Sequence, residues 1–299
     1  MSDKKIIAVV GATGAQGGGL VRAILKDPSG GFAARAITRD PRSDKARALA
    51  ALGAEIVQAD LDDGDSIRRA FDGAYGAFCN TFFWEHHQPE KEQLHARLMA
   101  QAARDARVSH AIWSTLEDAR KHVPLSDNRM PTLMGRYKVP HTDAKAEMDA
   151  VFTALGVPTT FLVTSFYWEN FIFFGMGPQP DENGRLAITF PMGDRKLPGI
   201  AAEDIGRCAY GIFKRGRDMV GRTVGIAGEH LTGDEMARTS LGCSASRSAT
   251  TRFRPTRTAA SGSRAPRIWA TCSSSSATST TCSARCATSS RRARSTPCS

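Results

Sequence analysis

The run Gly11-Ala12-Thr13-Gly14-Ala15-Gln16-Gly17 follows five apolar residues, Ile6 to Val10, and precedes a stretch with Leu20, Ile24 and Leu25 at helical spacing. Small residues between a strand and a helix let the backbone approach a pyrophosphate. The helix then offers unbonded N–H groups and the positive end of its dipole. The spacing is GxxGxxG rather than GxGxxG, so the motif draws its weight from its place at the first strand–helix junction. It predicts a dinucleotide cradle built from Gly11, Thr13, Gly14, Ala15, Gln16 and Gly17, the alternative being a Gly-rich turn with no ligand.

Two further segments carry matching chemistry. In Ile37-Thr38-Arg39-Asp40-Pro41-Arg42 the first polar side chains are Thr38 and Arg39, with Arg42 close by. Guanidinium groups pair with phosphate, which points to NADP(H) over NAD(H). In the alternative, both arginines are solvated and Asp40 holds NAD. In Ala59-Asp60-Leu61-Asp62-Asp63, Asp60 is expected to bond the adenine edge, with Leu61 beside the ring. The competing role for Asp60 is capping the next helix, which Asp62 or Asp63 suit better.

The elements that must position these residues are legible in the hydrophobic periodicity. Strands are predicted at 6–10, 33–38, 55–59, 74–79, 110–114 and 159–163, alternating with helices that include 43–52, 65–71, 89–106 and 143–155. Such alternation requires a parallel sheet covered on both faces, with ligands at the carboxyl ends of its strands. The fold class is therefore α/β, a doubly wound parallel sheet of the Rossmann type, with residues 1–165 as the dinucleotide-binding domain. A smaller substrate-side lobe is expected over 166–237. There the alternation breaks, and Phe166, Tyr167, Trp168, Phe171, Phe173 and Phe174 cluster, either around a substrate or as an interlobe core. A helix at 201–213, a strand at 223–227 and a capping box, Thr232-Gly233-Asp234-Glu235, close this lobe.

The net charge of +10 over 299 residues misleads as a total. From Arg238 on there are 11 Arg and no Lys, Asp or Glu, which leaves −1 for residues 1–237. Nucleic acid is thus not an expected partner of the body. Periodicity vanishes in 238–299, which reads as an Arg/Ser phosphate-binding tail or as an out-of-frame segment. The abrupt stop of a helix announced at Thr232, and five of the seven cysteines, favour the latter. Cys79 and Cys208 in the body read as lone thiols, and no metal site is expected. A signal peptide and an apolar membrane span are both missing, so the expected location is the cytoplasm.

Taken in order, these motifs resemble the NmrA-like family, an atypical branch of the short-chain dehydrogenases. They run with Trp84-Glu85, Trp113-Ser114-Thr115-Leu116-Glu117, Pro140-His141-Thr142-Asp143-Ala144-Lys145 and Phe166-Tyr167-Trp168-Glu169-Asn170, and the resemblance spans about residues 5–237. It implies NADP(H) binding, often in preference to NAD(H). Lys145 would reach the nicotinamide-side ribose, Tyr167, Trp168, Glu169 and Asn170 would line the nicotinamide end, and Thr81 and Phe82 would lie along the cofactor. Members often carry Asn where Phe82 stands and Lys where His95 stands.

Short-chain dehydrogenases use a Tyr four residues before a Lys, which lowers the phenol pKa and holds the ribose. Here that position is His141, and Tyr137 lies one helical turn too early. His141 could donate a proton, or it could simply open a helix after Pro140. Two functions follow. One is a redox-sensing regulator with a protein partner and no Tyr–Lys chemistry. The other is an NADPH-dependent reductase of a quinone or similar aromatic carbonyl, clamped by Phe82, Phe83, Trp84 and the 166–174 aromatics.

Overall fold

The computed structural model describes residues 4–184 and 186–244. Its centre is a seven-stranded sheet in the order β3-β2-β1-β4-β5-β6-β11. The strands are β1 (Lys5–Val10), β2 (Phe32–Thr38), β3 (Glu55–Gln58), β4 (Gly76–Cys79), β5 (His110–Thr115), β6 (Thr159–Val163) and β11 (Thr223–Gly225), and every pairing among them is parallel. The chain winds outward from β1 through β2 to β3, then returns to β4 on the other side. The strand order therefore reverses between β1 and β4, and it is in the crevice outside the carboxyl ends at such a switch point that open α/β sheets bind ligands.

Both faces are covered. Helices α1 (Ala15–Leu25) and α8 (Ala202–Arg215) bury Leu20, Val21, Ile24, Ile205, Ala209 and Phe213 against one face. Helices α3 (Gly64–Phe71), α4 (Pro89–Asp105) and α6 (Asp149–Ala154) bury Ile67, Phe71, Met99, Ala100 and Phe152 against the other. Helix α2 (Asp44–Ala51) is capped by the Ser43 hydroxyl, which accepts from Ala46 N. The junction of α1 and α8 is backbone on backbone. A Cβ on Gly19 would lie 2.6 Å from the Glu203 carbonyl oxygen, and one on Gly206 would overlap Leu20 N and Gly19.

The structure departs from the periodicity at four places. The helix expected over 143–155 is two: α5 (Pro140–Glu147) begins three residues earlier, and α6 follows Met148. Proline suits a first helical position because its missing N–H has no partner there anyway. Asp143, read as the start, instead sits inside the first turn and accepts from Lys138 N and Val139 N. Second, Phe83–Glu85 forms a 3-10 turn.

Third, the 166–237 stretch holds a small sheet of β7 (Phe166–Tyr167), β10 (Leu197–Ile200) and β12 (Glu229–Leu231), besides a hairpin of β8 (Gln179–Pro180) and β9 (Leu186–Ala187) and the short α7 (Asn170–Phe173). Strands of two to four residues are too short for alternation to register. Fourth, α9 (Gly233–Ser244) passes Ala237, correcting the expected stop. Its capping box forms as read, with Glu235 N donating to Thr232 Oγ1 and Thr232 N to Glu235 Oε2. Loss of acidic residues does not end a helix whose first turn is capped. The rest of the expected tail, 245–299, lies outside the described residues.

Gly206→Ala is expected to cost about 3 kcal/mol, because neither backbone can yield to the added methyl. Thermal unfolding should show a Tm lower by about 6–12 °C, and an unchanged Tm would mean the helices are not in backbone contact.

Candidate functional site

The cradle is a strand–turn–helix at the carboxyl end of β1. Gly11 turns the chain with φ +66°, a conformation that L side chains rarely adopt. A Cβ on Gly17 would lie 2.5 Å from the Gly11 carbonyl oxygen, and one on Gly14 3.1 Å from it. Ala12 N donates to Ile37 O at 3.2 Å and ties the turn to β2. Gly14 precedes α1, so the N–H groups of Ala15, Gln16 and Gly17 occupy a first turn with no intrahelical acceptor. Thr13 is half-buried in the turn. The residues present thus fit a pyrophosphate.

The adenosine side is more acidic than the sequence suggested. Thr38 is buried and accepts from Asp40 N at 3.3 Å. Asp40 accepts from Arg42 N at 2.9 Å and closes the turn around Pro41. Arg39 is ion-paired to Glu85 at 2.6 Å, while Arg42 is exposed and makes no ion pair among the described residues. Asp60 is half-buried and accepts from Asp62 N at 3.0 Å, and Leu61 lies beside it. Asp63, not Asp60, caps α3 by accepting from Asp65 N and Ser66 N.

Across the crevice, β4, β5 and α5 converge on Lys145. Its buried ammonium donates to Asn80 Oδ1 at 3.1 Å and to the Ser114 carbonyl at 3.2 Å, 5.2 Å from the centre of the Trp113 ring. The fully buried Glu92 carboxylate lies 3.9 Å away. Burial pushes the Lys145 ammonium below its usual range, and Glu92 opposes that. Glu92 also accepts from the Thr81 hydroxyl and faces His86 Nε2 at 3.6 Å. Gln16 reaches over from the cradle: its amide donates to the Tyr167 hydroxyl and its oxygen accepts from Ser114 Oγ at 2.8 Å. Burial pushes the Tyr167 phenol up to about 12.

His141 is on the same face of α5, one turn before Lys145, with its ring against Trp84 at 4.9 Å and Phe83 at 5.8 Å. Burial, reinforced by the Lys145 charge, pushes it down to about 4, so it is a neutral ring at pH 7 and not a charged acid. Tyr137 precedes α5 altogether and is fully buried between the Arg120 and Arg136 guanidinium groups.

The aromatic cluster divides. Phe166, Trp168 and Phe171 join Phe190, Met192, Leu197 and Met236 in a small core, with the Trp168 ring lying over Gly199. Phe173 and Phe174 are exposed, as is Phe82. Glu169 accepts Ala202 N at 3.0 Å and anchors the start of α8, and Asn170 opens α7. Of the FYWEN run, Tyr167 alone reaches the cradle residues in the hydrogen-bond network; Trp168 and Glu169 hold the lobe together.

The NmrA-like family profile matches residues 3–249, reaching past Ala237. The chain belongs to the NmrA-like family. An "NmrA-like family domain-containing oxidoreductase FrzB" from Cladobotryum sp. is 33% identical over 236 residues, 73% of this chain and 67% of that protein. The chain spans about two thirds of the length of the curated relatives it matches, from 64% to 70%. Among solved structures it is similar to NmrA, described as a negative transcriptional regulator, in complex with NAD (25% identity, TM-score 0.70, 85% of this chain and 75% of that one). The NADP complex of NmrA matches at 25% identity and TM-score 0.68, over 86% and 75%.

Within this NmrA-like chain, four site residues escaped the sequence reading as ligand or charge partners: Asn80, Glu85, Glu92 and Ser114. Glu85 and Ser114 stood in recognised motifs without a role. Asn80 and Glu92 carried no local signal, since only the packing of α4 and α5 across the strand ends brings them to Lys145.

Two outcomes check this geometry. Glu92→Ala should lower stability by about 3–5 kcal/mol, because it strands a buried ammonium. Glu92→Ala/Lys145→Met should recover much of the loss in urea unfolding, and a purely additive double mutant would refute the pairing. For His141, the folded value of about 4 lies below the unfolded imidazole, so its neutral ring contributes fully above pH ~6.5 and that contribution is lost as pH falls toward 4. His110, also held at about 4, acts in the same sense, and Asp149, raised to about 6, opposes them. An NMR titration in which His141 protonates near pH 6.5 would show that the ring is not buried.

Proposed function

We propose that this chain binds a nicotinamide dinucleotide across the carboxyl ends of β1, β2, β4 and β5, NADP(H) in preference to NAD(H), and acts in the cytoplasm as a redox-sensing regulator. One observation carries the binding: the Gly11–Gly17 cradle is joined through Gln16 to Ser114 and Tyr167, and through Ser114 to Lys145. The two NmrA complexes with NAD and NADP support the ligand class. Arg42 and Arg39 would meet a 2′-phosphate, Asp60 and Leu61 the adenine, Thr81 and Phe82 the length of the cofactor, and Lys145 the nicotinamide-side ribose. Residues 1–165 would serve as the binding domain, completed by α8 and β11, and the rest of 166–237 as a smaller substrate-side lobe interleaved with it.

When bound, the nicotinamide ring supplies a hydride or accepts one. The regulator reading is supported by what stands at the usual acid position: a neutral His141 against Trp84, with no tyrosine hydroxyl hydrogen-bonded to Lys145 among the described residues. No helix of the described residues is long and apolar enough to cross a membrane.

A second reading, an NADPH-dependent reductase of a quinone or similar aromatic carbonyl, has its own support. Curated relatives at 30–34% identity are named oxidoreductases. The Lys145 ammonium, eased toward release by burial, is a proton source that needs no Tyr. Exposed Phe82 and half-buried Trp84 offer faces to a planar ring.

Calorimetry with NADPH and NADH tests the binding. NADPH should bind at least ~10-fold tighter, a gap of ~1.4 kcal/mol, and Arg39→Ala should narrow that gap; equal or absent binding would sink the cofactor assignment. Steady NADPH oxidation with a quinone would then favour the reductase, and its persistence in His141→Ala would remove His141 from the mechanism.

A further inference from the structure

Arg39 is not waiting free for a phosphate. Its guanidinium is held at 2.6 Å by Glu85, with both side chains substantially exposed, 62% and 46%. The two partners differ in stiffness. Glu85 ends the Phe83–Glu85 turn, and that turn is pinned by the buried Phe83 ring, which contacts Trp84, His86, His87 and His141. Arg39 lies on a loop at the end of a long flexible side chain. The backbone that carries Glu85 is thus better anchored than the loop that carries Arg39.

The other carboxylates facing Arg39 are Asp60 and Asp62. Asp62 is already held by Lys91 and His95, both at 2.8 Å, and Asp60 accepts from Asp62 N within its own turn. Glu85 is thus the carboxylate in direct contact. It engages the Arg39 guanidinium through Nη1, and it places a negative charge next to any phosphate that Arg39 would hold. The free 2′-hydroxyl of NAD(H) makes no such demand on Arg39.

We propose that Glu85 sets the cofactor preference of this site by competing with the 2′-phosphate for Arg39, so that discrimination in favour of NADP(H) is held below what the two arginines would give alone. This rests on the reading of Arg39 as a phosphate ligand. An exposed ion pair is worth little, and salt weakens it further, so the effect is modest and depends on ionic strength.

The experiment is calorimetric affinity for NADPH and NADH in wild type, Glu85→Gln, Glu85→Asp and Arg39→Ala, at low and physiological salt. Glu85→Gln should raise the NADPH-to-NADH affinity ratio about fivefold at low salt and less at physiological salt. Glu85→Asp, which keeps the charge, should keep the wild-type ratio. If wild type discriminates through Arg39 and Glu85→Gln leaves the ratio unchanged or lowers it, Glu85 does not compete, and the cofactor reading stands without it. If neither wild type nor Glu85→Gln discriminates between NADPH and NADH, the phosphate reading and this inference fall together.

Discussion

The contact between Gly17 and the carbonyl of Gly11 is the constraint on which the cofactor edge depends. Nothing larger than hydrogen fits on Gly17 at that separation, and Gly11 turns through a positive φ. Together they bring the first turn of α1 to the end of β1, where its free N–H groups face the crevice. The same helix is locked two residues further on by Gly19 against Glu203, and Gly206 of α8 closes on that backbone in turn. Backbone in van der Waals contact with backbone leaves little room for either helix to shift. The N-terminal end of α1 is therefore held by backbone contacts at both Gly17 and Gly19.

From that fixed end, charge is managed in two different ways. On the Lys145 side, ammonium and carboxylate are both buried, and each has further hydrogen-bond partners: Asn80 and the Ser114 carbonyl for Lys145, the Thr81 hydroxyl for Glu92. Such a pair is costly to break, because removing either member leaves an uncompensated buried charge. On the Arg39 side the pair is open to water and cheap to exchange. A buried pair suits a position that must not move, and an exposed pair suits one that must rearrange.

The 166–244 region gives the site its outer wall. β7 carries Tyr167 to Gln16, Trp168 lies over Gly199 of β10 within the small sheet, and Glu169 ties this lobe to the start of α8, which packs on the main sheet. The aromatics that looked like one surface are two. One set is spent on the small core, and Phe173 and Phe174 remain outside it.

Local pattern alone determined the parallel sheet, the order of its strands along the chain, the glycine cradle and the capping box of α9. Each of these rests on residues adjacent in sequence or related by a short period. The family, too, was legible in the ordered motifs. Tertiary structure decided what each charged group faces. Arg39 meets Glu85 only because the turn after β4 folds back beside β2, and Glu92 meets Lys145 only because α4 and α5 pack together across the strand ends. His141 became a neutral ring through the packing of Trp84 and Phe83, which no spacing encodes. Periodicity records which face of an element is buried. The partner of a charge, and the solvent around it, depend on segments 46 residues apart in one case and 53 in the other, and only the closed fold brings those together.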